Sequence, residues 1–369
     1  MTPKIGPTSG RVVSIDTLRG FDMFWIIGGS TLFLDLLKLW NTPSSLSLST
    51  QFQHSEWNGF TFYDLIFPLF MFIAGTSLPY AICKRLKQGS SRKALYLHIT
   101  RRTITLFFLG LIVNGLLNLN FADQRWLGVL QRIAIAYFIA AIIVINTSLK
   151  WQAITAGTLL LTYWGAMALI PVPGFGAGVL TPEGNLAAFV DQKLLHGIFC
   201  CYNYGDNEGI LSTVPSISTV LLGVLSGHWL SSRRPQNTKV LGLLIAAAAS
   251  LILALVWNTV FPINKYLWSS SYVLYAGAWS LLLLCLFYYV IDIRGHTKWA
   301  IPFFVIGLNA LTIYVADSIF NFERITRILA NGFLDWLGSF EPLLLALILL
   351  TVEWLFLYFL YRKKIFLKA

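Results

Sequence analysis

Apolar residues in this 369-residue chain fall into ten long runs separated by short polar stretches. The runs cover approximately Leu18–Leu39, Phe62–Cys83, Thr103–Leu119, Trp126–Ile145, Trp151–Ile170, Ile210–Leu230, Val240–Phe261, Tyr272–Ile291, Ala300–Phe320 and Leu343–Tyr361. A bilayer core takes about 20 residues of helix to cross, and every backbone polar group there has to be satisfied within the helix. The pattern therefore predicts an all-α polytopic membrane bundle of about ten transmembrane helices. No repeat at a fixed period and no low-complexity tract divides it, so one membrane domain over residues 1–369 is expected. The first run is too long, and its flanks too unlike a leader, for a cleaved signal peptide, so it is expected to be retained.

Composition removes the soluble alternatives. Apolar residues make up 56% and charged residues 12%, far from the roughly 25% charged of ordinary soluble domains. The formal charge of +11 could suggest nucleic acid, but the cations sit in short loops between apolar runs and form no stripe on a soluble helix. No nucleic-acid partner is expected; membrane lipid is. Placing the N-terminus in the cytoplasm puts Lys4, Arg11, Arg19, the loops around Lys84–Arg102, Lys150, Arg233–Lys239 and Arg294–Lys298, and the tail from Arg362 onward on one face, 20 of the 27 basic residues. The positive-inside rule then gives N-in and C-in. Of the four cysteines, Cys83 and Cys285 fall at or inside runs, while Cys200 and Cys201 are adjacent and imply no disulfide framework.

Ionisable residues inside apolar runs are costly and mark function by default. Asp64, Arg132 and Asp317 lie near the outer ends of their runs, and His54 and Glu208 lie just beyond that face. The bland alternative makes Asp64 and Glu208 helix N-terminal acids, Arg132 a cation reaching for headgroups and His54 an ordinary loop histidine. On the inner face, Asp16 and Arg19 are spaced to pair on a helix. With Arg101, Arg102, His228, Arg233 and Arg234 they make a face suited to phosphate, or simply to anchoring. Asn309, well inside its run, would either tie helices or line a channel. Pro68 and Gly75, with Pro215 and Gly223, mark the second and sixth runs as cavity walls. The long outer segments Trp40–Thr61, Pro171–Gly209 and Asn321–Pro342 could roof a pocket.

Several stretches carry a resemblance: DTLRGFDMFWIIGG (Asp16–Gly29), HSEWNGFTFYDLIFPLFMFIAGTS (His54–Ser77), GVLQRIAIAYF (Gly128–Phe138), GDNEGILSTVPSISTVLLGVLSG (Gly205–Gly227) and GLNALTIYVADSIF (Gly307–Phe320). In order and over most of the chain they resemble the heparan-alpha-glucosaminide N-acetyltransferase family in its bacterial form. The resemblance implies a transmembrane acyltransferase that takes acetyl-CoA as co-substrate from the cytosol and acetylates an amino sugar or short glycan across the membrane, with no metal. The active-site histidine of the family falls on His54, and Asn58 and Asp64 share its block as catalytic candidates. Arg19, Arg101, Arg102 and Asn309 become the residues for the cofactor; Arg132, Glu208 and Trp57 become those for the acceptor. Family members suggest a homodimer, and a bacterial chain would sit in the cytoplasmic membrane. One departure is local: lysosomal members have a polar Asn-Tyr-Gly-rich turn where this chain has Ile26-Ile27-Gly28-Gly29.

A physical rationale accompanies it. Neither a charged acyl donor nor a polar acceptor crosses a bilayer, whereas an acetyl group can be passed through. A histidine near pKa 6.5 suits a general base for thioester aminolysis, or could itself accept the acetyl group. The competing classes are an amino-sugar permease without chemistry and an envelope polysaccharide O-acetyltransferase.

Overall fold

The computed structural model describes residues 12–40, 42–334 and 338–366; the sequence-stretch cations Lys4, Arg11 and Lys368 lie outside these. The chain is an all-α, polytopic membrane protein. Among the described residues eight helices are long and apolar enough to cross a bilayer, or nine if one bent pair counts as a crossing, against the ten expected. The difference is the fifth run. It forms the 21-residue helix Leu149–Leu169, but Lys150, Gln152, Thr155, Thr158 and Thr162 dilute its apolar character. The third run was also read too late: the helix there is Arg92–Val113, started by the Ser91 hydroxyl accepting from the Ala94 amide, so Arg101 and Arg102 are helical residues and not loop residues.

Two compact units emerge. The first comprises residues 1–55, 61–66 and 283–368. Its first helix, Val13–Phe24, carries no cap of its own; the Asp292 carboxylate accepts from the Val13 and Ser14 amides at 3.2 and 3.1 Å, placing negative charge at a helix N-terminus. A Cβ at Gly20 would overlap the Phe303 carbonyl, and one at Gly307 the Asp16 carbonyl. The first helix therefore packs backbone to backbone against Ile301–Leu308, the use of small residues expected between membrane helices. After Phe24 the helix widens into a π-turn, Trp25–Gly29, with Gly28 at φ 139°. The ninth run is not one straight span: Ile301–Leu308 and Ala310–Phe320 meet at 73° across Asn309. Asn309 Nδ2 donates to the Ile365 carbonyl at 3.2 Å, so the amide ties the bend to the C-terminal segment.

The second unit comprises residues 56–60 and 67–282. Cβ atoms at Gly75, Gly223 and Gly227 would overlap the carbonyls of Val220, Phe72 and Thr76. The helices Phe62–Lys87 and Thr213–Ser231 are thus in backbone contact at the level of the glycines, where cavity walls had been expected. A cavity of about 480 Å³ opens further along, lined by Pro79, Ile82, Cys83, Leu86, Lys87, Val144 and His228. Outside the helices, Asn185 caps Leu186–Leu194, and a short hairpin pairs Cys201–Tyr202 with Gly205–Asp206. Cys200 and Cys201 are joined as a vicinal disulfide, a bond the sequence reading did not expect.

Candidate active site

In the first unit, the segment Pro43–Ser49 forms a short helix closed by a Thr42–Ser45 capping box. Phe52 then packs against Trp25, Phe33 and Phe62, with ring centroids 5.5–5.8 Å apart. This fixes the chain two residues before His54. The helix Phe62–Lys87 begins at Thr61, whose backbone amide donates to Asp64 Oδ2 at 3.1 Å. The same oxygen accepts from the Ser55 amide at 3.2 Å, while the Thr61 hydroxyl donates to the Gln53 carbonyl at 2.6 Å. Its partner, Oδ1, takes His54 Nδ1 at 2.8 Å. Asp64 is fully buried while the His54 side chain is 40% exposed, and the imidazole lies against the Tyr63 ring at 4.7 Å.

Asp64 is therefore both things the sequence allowed: a helix-starting acid and the partner of His54. An ionised carboxylate only accepts, so Nδ1 carries the proton and the lone pair resides on Nε2. The arrangement gives a partly exposed imidazole of fixed tautomer, backed by a buried anion that would also stabilise the imidazolium. Asp317 belongs to this unit too, within electrostatic reach of Glu353 from the last helix. Arg19 is bonded to Asp16 at 3.1 Å.

The second unit holds the other candidates. The block following His54 is tied down by Gly59, whose amide donates to the Ile263 carbonyl at 2.8 Å, and by Asn264 Nδ2, which donates to Asn58 Oδ1 at 3.1 Å. Trp57 stacks on Tyr266 at 5.3 Å and 17°, meets Tyr202 edge-on at 5.3 Å, and donates Nε1 to the Leu180 carbonyl. Arg102 lies over the Tyr137 ring and donates to its hydroxyl at 3.0 Å; Arg101 is exposed on the same helix.

Glu208 is engaged by Arg125, a residue no motif singles out. Arg125 forks Asp206 with Nε and Nη2 at 2.8 and 2.6 Å, and its Nη2 also reaches Glu208. Burial opposes the charge on Arg125, but its bonds to Asp206 and the charges of both acids outweigh that and hold the guanidinium protonated well above its usual range. Behind this knot, Asp191 accepts from the Asp206 and Ile210 amides at 3.2 and 2.9 Å. Burial pushes its carboxyl up to about 6. Arg132 does not reach outward: it is 1% exposed, bonds Ser212 through Nη2, and lies 4.7 Å from the Trp268 ring centroid. Arg125, Asp206, Ser212, Trp268, Tyr202 and Tyr266 were all missed as site residues. One signal was legible: Pro171–Gly209 has four acids against Lys193 alone, which calls for a cation from elsewhere.

A family model described as a domain of unknown function (DUF5009) matches residues 11–171. Across 98% of its length the chain is 29% identical to heparan-alpha-glucosaminide N-acetyltransferase of Mus musculus, and across 97% it is 30% identical to the Homo sapiens protein of that name. It spans 61% and 60% of those relatives' own lengths. The resemblance read from the motifs thus holds along nearly the whole chain.

Proposed function

We propose that the chain is a transmembrane acetyltransferase, working as one domain over residues 1–369 in a bacterial cytoplasmic membrane with both termini in the cytoplasm. It moves the acetyl group of cytosolic acetyl-CoA to the amino group of a glucosamine-type sugar at the outer face. The observation that carries this reading is the His54–Asp64 bond, because it turns a loop histidine into an oriented base.

Acetyl-CoA supplies the acetyl group as an activated thioester. His54 Nε2 takes the proton that leaves the sugar nitrogen as the C–N bond forms and the C–S bond breaks, and it returns a proton to the departing thiolate. The buried Asp64 carboxylate holds Nδ1–H throughout, so the imidazole neither rotates nor changes tautomer. Asn58 has its carbonyl oxygen held by Asn264; its Nδ2 is thereby the end left to donate to the acetyl oxygen, a role worth roughly 3–4 kcal/mol in other enzymes. In a two-step variant His54 Nε2 would instead carry the acetyl group between donor and acceptor. For the CoA phosphates, Arg102 fits: its Nε is buried and meets no acceptor among the described residues, and Arg101 is exposed on the same helix; Arg19 and Asn309 are separate candidates within the first unit.

Purified His54→Ala, assayed for CoA release with glucosamine present, tests the reading. Turnover should fall to background in protein that elutes and melts like wild type. Wild-type turnover in His54→Ala would remove His54 from the reaction, and wild-type protein that consumes no acetyl-CoA while moving amino sugar across vesicles would establish a permease.

A further inference from the structure

Charge in the second unit is separated end from end. Its acids are Glu56, Asp123, Glu183, Asp191, Asp206 and Glu208, and all but Glu56 precede the first turns of the helices Val129–Asn146 and Thr213–Ser231. At the far ends of these helices, and at the end of Phe62–Lys87, the charged residues are cations: Lys84, Arg85, Lys87, Arg233 and Arg234. Residues 65–122, 124–182 and 209–291 contain no Asp or Glu. The basic end of this unit therefore has no carboxylate of its own to balance it.

The cavity of about 480 Å³ lies at that end, where the three helices finish, walled by Pro79, Ile82, Leu86 and Val144 and edged by Cys83, Lys87 and His228. Its volume falls within the roughly 300–1,000 Å³ of ligand pockets. Ile82 and Val144 also pack on the buried cluster of Leu78, Tyr137 and Val224, which makes this side of the cavity apolar. Two polar groups of the lining remain unserved. Lys87 is exposed with no acid in the lining beside it, and His228 Nε2 is buried with no hydrogen-bond partner among the described residues. The carbonyls at the helix ends, the negative poles of the macrodipoles, already have donors. Lys239 Nζ donates to the Leu230 carbonyl at 2.7 Å and Gln152 Nε2 to the Thr147 carbonyl at 3.0 Å, while the amides of Gln88, Gly89 and Ser90 close the last turn of Phe62–Lys87. Lys87 and His228 are thus left to face a ligand.

We propose that this cavity binds an anionic phospholipid, with Lys87 and the His228 Nε2–H on the phosphate and the glycerol end of the lipid against Pro79, Ile82 and Val144. The ends of membrane-spanning helices lie at headgroup depth, and basic pockets between such ends suit anionic headgroups. A soluble anion would leave the apolar wall wet. A zwitterionic lipid would bring a cation to an end that already holds only cations. A phosphate monoanion carried on hydrocarbon answers both halves of the cavity. The proposal needs the helices to span a bilayer and requires no acetyl transfer, so it stands apart from the proposed function.

Cys83 makes occupancy readable. Cys285 is buried and Cys200 is joined to Cys201, so a maleimide added to the folded protein reports on Cys83. The full-length protein in detergent is labelled with N-ethylmaleimide in the presence of phosphatidylglycerol, phosphatidylcholine, inorganic phosphate or CoA. Phosphatidylglycerol should slow the labelling of wild type at a mole fraction where the other three leave it unchanged. Lys87→Gln should raise the half-protecting fraction about fivefold, whereas Lys93→Gln, which removes a cation outside the cavity lining, should not move it. Native mass spectrometry gives a second readout: one phosphatidylglycerol retained by wild type and lost from Lys87→Gln. Equal protection by phosphatidylcholine would make the cavity a hydrocarbon slot, protection by inorganic phosphate a free-anion site, and protection by CoA a part of the co-substrate's path; each overturns the proposal, as does lipid retention that survives Lys87→Gln in both readouts. Acetyl transfer in a protein that retains no lipid would remove the lipid site and leave the proposed function standing. Lipid protection in a protein that releases no CoA would do the reverse.

Discussion

Asp64→Asn is a sharp perturbation because the two carboxylate oxygens have unequal duties. Oδ2 receives the Ser55 and Thr61 amides, while Oδ1 receives His54 Nδ1. An asparagine has one acceptor oxygen and one NH2 group. Satisfying two backbone amides outweighs satisfying one ring N–H, so the carbonyl takes the Oδ2 position and the NH2 faces the imidazole. His54 Nδ1 must then accept, and its proton moves to Nε2. The base becomes a donor, although the fold loses little: one charge-assisted bond is exchanged for a neutral one, at about 1–2 kcal/mol. General base catalysis contributes roughly 10²–10⁴-fold, so kcat should drop by about that factor while the melting temperature moves by only a few degrees. CoA release, followed with a thiol reagent, and a thermal melt on the same preparation decide it. Turnover within about threefold of wild type, with the tautomer confirmed as changed by nitrogen NMR, would refute the proposed role of the imidazole.

Three further outcomes follow from the geometry. Gly75→Ala places a methyl group on the Val220 carbonyl; overpacking of this kind costs about 1–3 kcal/mol, and the detergent melting temperature should fall accordingly, whereas Gly157→Ala, which has open space at its Cβ, should be neutral. Arg125→Met leaves Asp206 and Glu208 buried without their cation, and should destabilise by about 3–5 kcal/mol, read as a lower melting temperature that partly recovers at acidic pH. Asp191, raised by burial from the usual 3.8 to about 6, favours the folded state most when protonated. Its contribution is full below about pH 4 and is lost as pH rises through about 6, at most roughly 3 kcal/mol. The stability of wild type relative to Asp191→Asn should therefore decline between pH 5 and pH 7.5, and a pH-independent difference would contradict the burial argument.

The spans were legible because apolar length is a property of the sequence alone. Where the reading failed, a local feature outweighed it. Arg92, Lys93, Arg101 and Arg102 looked like a loop, yet Ser91 caps a helix that carries them, since long basic side chains are good helix formers. The break at Asn309 carries no proline, and its bend depends on the distant Ile365 carbonyl. The site was legible in part. His54 and Asp64 stood out through a family motif, but the bond between them depends on Asp64 also collecting Ser55 and Thr61. Arg125 looked like a stray cation because its partners lie 81 and 83 residues away. Arg132 was noticed for its depth in the membrane, and its actual environment, a tryptophan face and a serine, belongs to segments 80 or more residues downstream.

The first unit is assembled from the two ends of the chain, and this bears on biogenesis. Its opening helix is capped by Asp292 and packed through Gly20 against Gly307, residues synthesised long after that helix has entered the bilayer. During translation the segment bearing His54 and Asp64 waits, with its polar groups such as the buried Asp22 facing lipid or insertion machinery, while residues 67–282 can already pack on one another. A nascent chain halted near residue 282 would hold the second unit and less than half of the first. The opening helix would thus acquire its N-terminal cap and its glycine-packed partner last, after the segment around His54 has already been made.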